Sequence, residues 1–278
     1  MLQTKKIDHP NFGESLYATN GVAEIIIPLT YGIRIGHLSL CGGKNVFFEQ
    51  PKDSTDLTHP GGWRIFGGHR LWISPEEDEV YYPDQHPISY AVEDDCIVLT
   101  QPEDPWIHMV KSMRISFGEG ATLQIVHKVE NTASEARTCA LWAISAMAPG
   151  GKEYIPLKIL DRGFKNSHWI SFWNYTDIAD PRAKYGKEEI CLTYMDMPYP
   201  YKIGVSRLSG PVRYENNGVV FEKDFAISED GLYPDNDVAY ETYMCRHMIE
   251  VESLSPLMTI PAGESREHTE CWKLTEAV

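Results

Sequence analysis

Thr122-Leu123-Gln124-Ile125-Val126-His127-Lys128-Val129-Glu130 is the stretch whose reading decides the fold. Leu123, Ile125, His127 and Val129 fall on one side of an extended chain. Thr122, Gln124, Val126, Lys128 and Glu130 fall on the other. A period of two marks a half-buried strand. The stretch lies within Trp106–Ala148, the longest run without proline. A long helix would have its best opportunity there, and alternation stands in its place. Asn131-Thr132-Ala133-Ser134-Glu135 then reads as a turn, and Thr138–Met147 as the returning strand.

Working outward, further short strands are expected at Val22–Ile27, Ile33–Leu40, Asn45–Glu49, Ile88–Val92, Cys96–Thr100 and His108–Phe117. Others follow at Ile190–Tyr194, Lys202–Arg207, Val219–Glu222, Arg246–Leu254 and Glu270–Leu274. Each is bounded by Gly, Pro, Asn or Asp. Many short strands at close spacing indicate an all-β sandwich or barrel. No repeat, linker or low-complexity tract interrupts the chain, so residues 1–278 are read as one domain.

The chain has 278 residues and a formal net charge of −15, from 25 Lys+Arg against 40 Asp+Glu. That excess argues against nucleic acid and anionic membrane surfaces as partners, since both would repel it. The six cysteines include no C-x-x-C pair, which argues against a structural zinc site. The first ten residues lack the pattern of a signal peptide, and no apolar run approaches the roughly 18 residues of a membrane span. A cytoplasmic protein with reduced thiols is the expectation. Gly-x-Ser-x-Gly, a phosphate-binding Gly-rich loop with Lys, and His-Glu-x-x-His are all missing.

Four segments carry residues suited to chemistry. In Trp63-Arg64-Ile65-Phe66-Gly67-Gly68-His69-Arg70-Leu71-Trp72-Ile73-Ser74-Pro75-Glu76, aromatic and charged side chains surround a glycine pair. Sugar sites need this mixture, because aromatic faces cover the C–H patches of a pyranose while charged groups bind its hydroxyls. Adjacent glycines permit positive φ and close backbone approach. A tight turn whose tryptophans fill the core is the alternative. In His247-Met248-Ile249-Glu250-Val251-Glu252-Ser253-Leu254, alternation puts Glu250 and Glu252 on one face. That face is either solvated or, if covered by loops, the place for a catalytic base. His127 shares its face with Leu123, Ile125 and Val129, as a hydrogen-bonded core residue or an acid. Tyr233-Pro234-Asp235-Asn236-Asp237 is acidic but lacks the spacing of a calcium loop.

These segments, in this order, resemble the galactose mutarotase-like (aldose 1-epimerase) superfamily, and more narrowly an uncharacterised bacterial branch of it. The resemblance begins at Asn20–Ile27, Tyr31–Ile35 and Asn45–Glu49. It continues through Gly67–Trp72 with Pro75-Glu76, then Ala140–Ile144 and Ala148–Gly151. It closes at Glu250–Leu257 and Pro261–Glu264, and so spans nearly the whole chain. It implies a large antiparallel β-supersandwich with its site on one concave sheet and a small-molecule carbohydrate as ligand. No cofactor or metal is implied.

By the same resemblance, Glu250 matches the glutamate that takes the anomeric proton. Where the family places its histidines, this sequence has Trp142 and Phe66, so the acid role falls to His69 or His127. Arg64, Arg70, Trp72, Glu76, Trp142 and Asp235 are the candidate sugar-holding residues. Arg64 and Arg70 raise a uronate or sugar phosphate as ligand, since guanidinium groups grip such anions bidentately. A sugar-binding protein without turnover is the second reading. A glycosidase using Glu76 and Glu250 is the third, with the carboxylate separation deciding its mechanism.

Overall fold

A computed structural model of the chain describes residues 1–54, 57–59 and 61–277. Every strand pair in it is antiparallel, and two large sheets face each other. One, of ten strands, runs from Ala183–Tyr185 at one edge through Val219–Phe225, Ser265–Glu276, Thr122–Asn131 and Met109–Phe117 to Ser89–Glu93 at the other. The second, of eight, runs from Ile170–Phe172 through Tyr201–Val205, Tyr240–Met244, Ile249–Leu254, Arg137–Met147 and Gly68–Ser74 to Arg34–Ile35; Met258–Ile260 pairs beside Arg137–Met147. A smaller four-stranded sheet holds Gln3–His9, Gly13–Thr19, Ala23–Pro28 and His37–Leu40.

The alternation at residues 122–130 is borne out: the strand runs Thr122–Asn131 and buries Leu123, Ile125, His127 and Val129. One hydrophobic cluster fills the layer between the large sheets, with Ile125, Leu141, Ile203 and Trp272 all nearly inaccessible. Burying side chains of this size stabilises by roughly 1.5–3 kcal/mol each.

The expected strand at Asn45–Glu49 is not one. Phe47 and Glu49 make only isolated bridges, to Met147 and Gly67. The chain there crosses the strand ends, and Asn45 instead caps it, accepting from the backbone N–H groups of Leu38 and Phe47 at 3.0 Å. The strands Gly68–Ser74 and Tyr240–Met244 were not expected. Each lies inside the eight-stranded sheet and is buried or nearly so on both faces, so neither shows a clean polar–apolar alternation.

The glycine pair has the role its sequence suggests. Gly67 and Gly68 have φ of +88° and +72°. A Cβ would stand 2.1 Å from the Phe48 carbonyl oxygen at Gly67, and 2.3 Å from that of Ile35 at Gly68. Only a residue without Cβ lets the chain enter the strand here.

Candidate functional site

Alternation along three neighbouring strands sorts their side chains to two faces. On Gly68–Ser74, Arg70 and Trp72 point away from the ten-stranded sheet. So do Trp142 and Ile144 on Arg137–Met147, and Glu250 and Glu252 on Ile249–Leu254. The two glutamates therefore share one face, as alternation requires. That face is covered rather than solvated: Glu250 is 6% exposed and Glu252 is fully buried. The covering segments bring Leu57, Thr58, His59, Trp63 and Ile65 from one side. Glu76, Tyr81, Tyr175, Pro200 and Met248 come from others. Between sheet and cover lies a cavity of about 370 Å³.

The floor of this cavity is ionic. Arg70 donates from Nη1 to Glu250 Oε1 at 3.0 Å, and its guanidinium lies over the rings of Trp72 and Trp63 at 4.7 and 5.5 Å. Lys202 Nζ bonds Glu241 at 2.8 Å and lies 3.4 Å from Glu252, between the rings of Trp142 and Trp173. Trp142 donates its indole N–H to Glu252 Oε2 at 2.8 Å. Burial pushes the Glu252 carboxyl up to about 7, against the opposing pull of Lys202. Burial likewise raises Glu241 well above the ordinary carboxylate range. Lys202 stays charged, because Glu252 and Glu241 outweigh the burial that would lower its pKa.

The walls are aromatic. Trp72 meets Trp142 and Tyr81 edge-on at 5.7 and 5.0 Å, and Tyr81 stacks on His59 at 3.9 Å. Tyr81 also donates its hydroxyl to Glu76. Such rings offer apolar faces of pyranose size beside hydrogen-bonding groups, the composition of a small-molecule site.

Of the nine candidate residues, five line this cavity: Glu250, Arg70, Trp72, Glu76 and Trp142. The other four stand elsewhere. Arg64 turns away, donates to the Ser54 carbonyl at 2.7 Å and packs over Phe66. Asp235 is exposed, in a left-handed turn, and accepts weakly from Ser74 at 3.4 Å. His69 and His127 lie in the layer between the two large sheets, each with no exposed surface. His69 points away from the cavity because its strand parity is opposite to that of Arg70, and His127 stands on the ten-stranded sheet, facing the same sealed layer.

Those two histidines belong to a buried polar chain. His127 Nδ1 faces the His268 carbonyl at 3.0 Å, and a carbonyl only accepts, so Nδ1 carries the proton. The neutral ring then presents a lone pair at Nε2. His69 Nε2 donates to it at 2.7 Å, and Ser145 donates to His69 Nδ1 at 2.8 Å. Burial lowers the pKa of both rings and pushes His268 down to about 3. Lys223 places its three ammonium protons on Ala143 O, Val251 O and Glu270 Oε1, at 3.2, 2.9 and 3.0 Å. His69, His127 and Glu270 bring ligand-type atoms within 4.8 Å of one another, a convergence the sequence did not announce. Protein groups already satisfy it: the hydrogen-bond chain uses the imidazole lone pairs, and Lys223 neutralises Glu270.

Among the cavity residues that escaped the sequence reading are His59 and Lys202. His59 stands four residues before Trp63 in a Gly/Pro-rich loop, and only that proximity could have pointed to it. Lys202 is the second residue of an apolar strand, where alternation puts it on the face opposite Tyr201 and Ile203; register alone brings it across from Tyr243 and into the site.

No protein-family profile and no curated protein matches the chain. Solved structures do. A TPR-domain containing protein from Parabacteroides distasonis superposes with a TM-score of 0.64 at 15% identity, covering 94% of this chain and 47% of that one. The chain thus spans about half the length of that protein. Galactose mutarotase-like proteins from Lactobacillus casei and Clostridium acetobutylicum superpose with TM-scores of 0.57 and 0.58, at 12% and 11% identity. They cover 98% and 99% of this chain, and 100% and 99% of theirs. Among the described residues no helix is long and apolar enough to cross a membrane. Two facing antiparallel sheets, matched over almost their full length, give this chain the galactose mutarotase-like β-sandwich fold.

Proposed function

We propose that the cavity on the eight-stranded sheet binds a pyranose and interconverts its anomers, with Glu250 as the base. The observation that carries this reading is the Glu250 carboxylate on the floor of an aromatic cavity, held by Arg70 at 3.0 Å, with the His59 imidazole lining the same space. Glu250 takes the proton of the anomeric hydroxyl. His59 gives one to the ring oxygen as the bond from C1 to that oxygen breaks and the C1 carbonyl forms. Rotation about C1–C2 and reversal of the same transfers close the ring on the other face. One acid and one base on the two sides of the hemiacetal are what this chemistry requires.

The second reading is binding without turnover. It is favoured by the burial of His69 and His127 away from the cavity, which removes both imidazoles the sequence offered as the acid. NMR exchange spectroscopy of α and β anomers separates the two. Catalysed exchange for any sugar of a hexose panel, lost in both Glu250→Gln and His59→Asn, supports the epimerase reading. Shift changes without faster exchange support simple binding.

A further inference from the structure

We propose that this cavity selects a cationic amino sugar over the neutral parent sugar and discriminates against uronates and sugar phosphates. The inference rests on the cavity being a sugar site, and adds the charge class of the ligand.

The argument starts from which charges are already matched. The cavity and its floor hold two cations, Arg70 and Lys202, and four carboxylates, Glu76, Glu241, Glu250 and Glu252. An anionic ligand is gripped by a guanidinium or ammonium that has no protein carboxylate. Neither cation is in that state, although Arg70 Nε has no hydrogen-bond partner among the described residues. Arg70 is bonded to Glu250, and Lys202 to Glu241 with Glu252 close behind. Arg64, the other guanidinium expected near the site, faces away.

The negative excess is built into the sheet. Glu241 and Glu252 are direct cross-strand partners. Like charges opposite one another are unfavourable, and Lys202 bridges them. One oxygen of each, Oε1, has no hydrogen-bond partner among the described residues, although Glu241 is only 1% exposed and Glu252 fully buried. Both lie on the cavity side of their strands. A protonated amino group brings the positive charge that these carboxylates lack. Even with one proton held between Glu241 and Glu252, where burial raises both, the site remains negative on balance.

The test is isothermal titration calorimetry of the intact protein at low and high salt. Its ligands are glucose, glucosamine, glucuronate and glucose 6-phosphate, and the corresponding galactose series. Expected is binding of the amino sugar about fivefold tighter than its parent, and of both anions at least about tenfold weaker, with differences that shrink as salt screens them. A uronate or phosphate binding as tightly as the neutral parent overturns the charge selectivity and leaves the sugar site standing. Equal affinity for amino and neutral sugar overturns the preference for the amine. Binding of no sugar in either series overturns the sugar site, and the selectivity with it. Glu241→Gln, at a position that does not line the cavity, is expected to narrow the neutral-to-anion ratio by about fivefold. An unchanged ratio in the folded variant counts against the proposal, and the salt dependence of the parent protein carries the test if the variant does not fold.

Discussion

Glu250 and Glu252 stand two residues apart on one strand and have different surroundings. Glu250 faces the cavity, paired with Arg70. Glu252 is sealed beneath Trp142 and Lys202. Only the first is placed to touch a ligand. Replacing Glu250 with Gln is expected to lower catalysed anomer exchange by about 10²–10⁴-fold, the usual weight of a general base. Exchange rates from NMR check this, and activity retained in the variant would sink the assignment. His127 gives the contrasting case. His127→Ala leaves the His69 N–H without its acceptor in a sealed layer, and should destabilise the fold by roughly 1–3 kcal/mol in urea titration. It should leave sugar affinity unchanged, because the ring does not reach the cavity.

At the scale of elements, the strand Gly68–Ser74 matters most, since it carries His69 into one layer and Arg70 and Trp72 into the other. Its entry depends on Gly68, and Gly68→Ala would drive a Cβ into the Ile35 carbonyl at positive φ. A loss of roughly 1–3 kcal/mol is expected. Weakened sugar binding should accompany it as Arg70 and Trp72 shift; thermal unfolding and ligand titration measure the two effects. The strands at the centre of the ten-stranded sheet were legible, because one face of Thr122–Asn131 is buried and the other is not. Gly68–Ser74 and Tyr240–Met244 were not, because the cover that makes the cavity also buries their second face. Polar residues are then hidden among apolar ones, and the period of two vanishes from the sequence.

Across the whole molecule, the layer between the sheets holds titratable groups that stability should report. Glu153 is fully buried and accepts from the hydroxyls of Tyr240 and Thr242, and burial pushes it up to about 8. A carboxyl raised in the folded state contributes stability below its unfolded pKa, and loses it as pH climbs through the folded value. Glu153→Gln should therefore gain on the parent protein between about pH 5 and 9, by roughly 2–4 kcal/mol at the upper end. Urea midpoints across that range decide it, and a gain independent of pH would refute the assignment. The buried histidines act at the acid end. Their folded pKa values lie below those of the unfolded chain, so their contribution holds above about pH 6.5 and is lost as pH falls below it. His268→Gln should flatten that acid-side slope.

The sequence by itself determined the class of fold, through the period of two in Thr122–Glu130, and put Glu250 and Glu252 on a common face. Both follow from local geometry, in which neighbouring side chains leave an extended backbone on opposite sides. Tertiary structure decided which face became the site. His69 and Arg70 are adjacent in sequence, yet one joins a sealed polar chain and the other floors the cavity, because the ten-stranded sheet covers one side of their strand and loops cover the other. His59, Lys202 and Glu241 come from segments far apart in the chain. Strand register and loop closure, both long-range, bring them to Glu250, and no local pattern records that meeting.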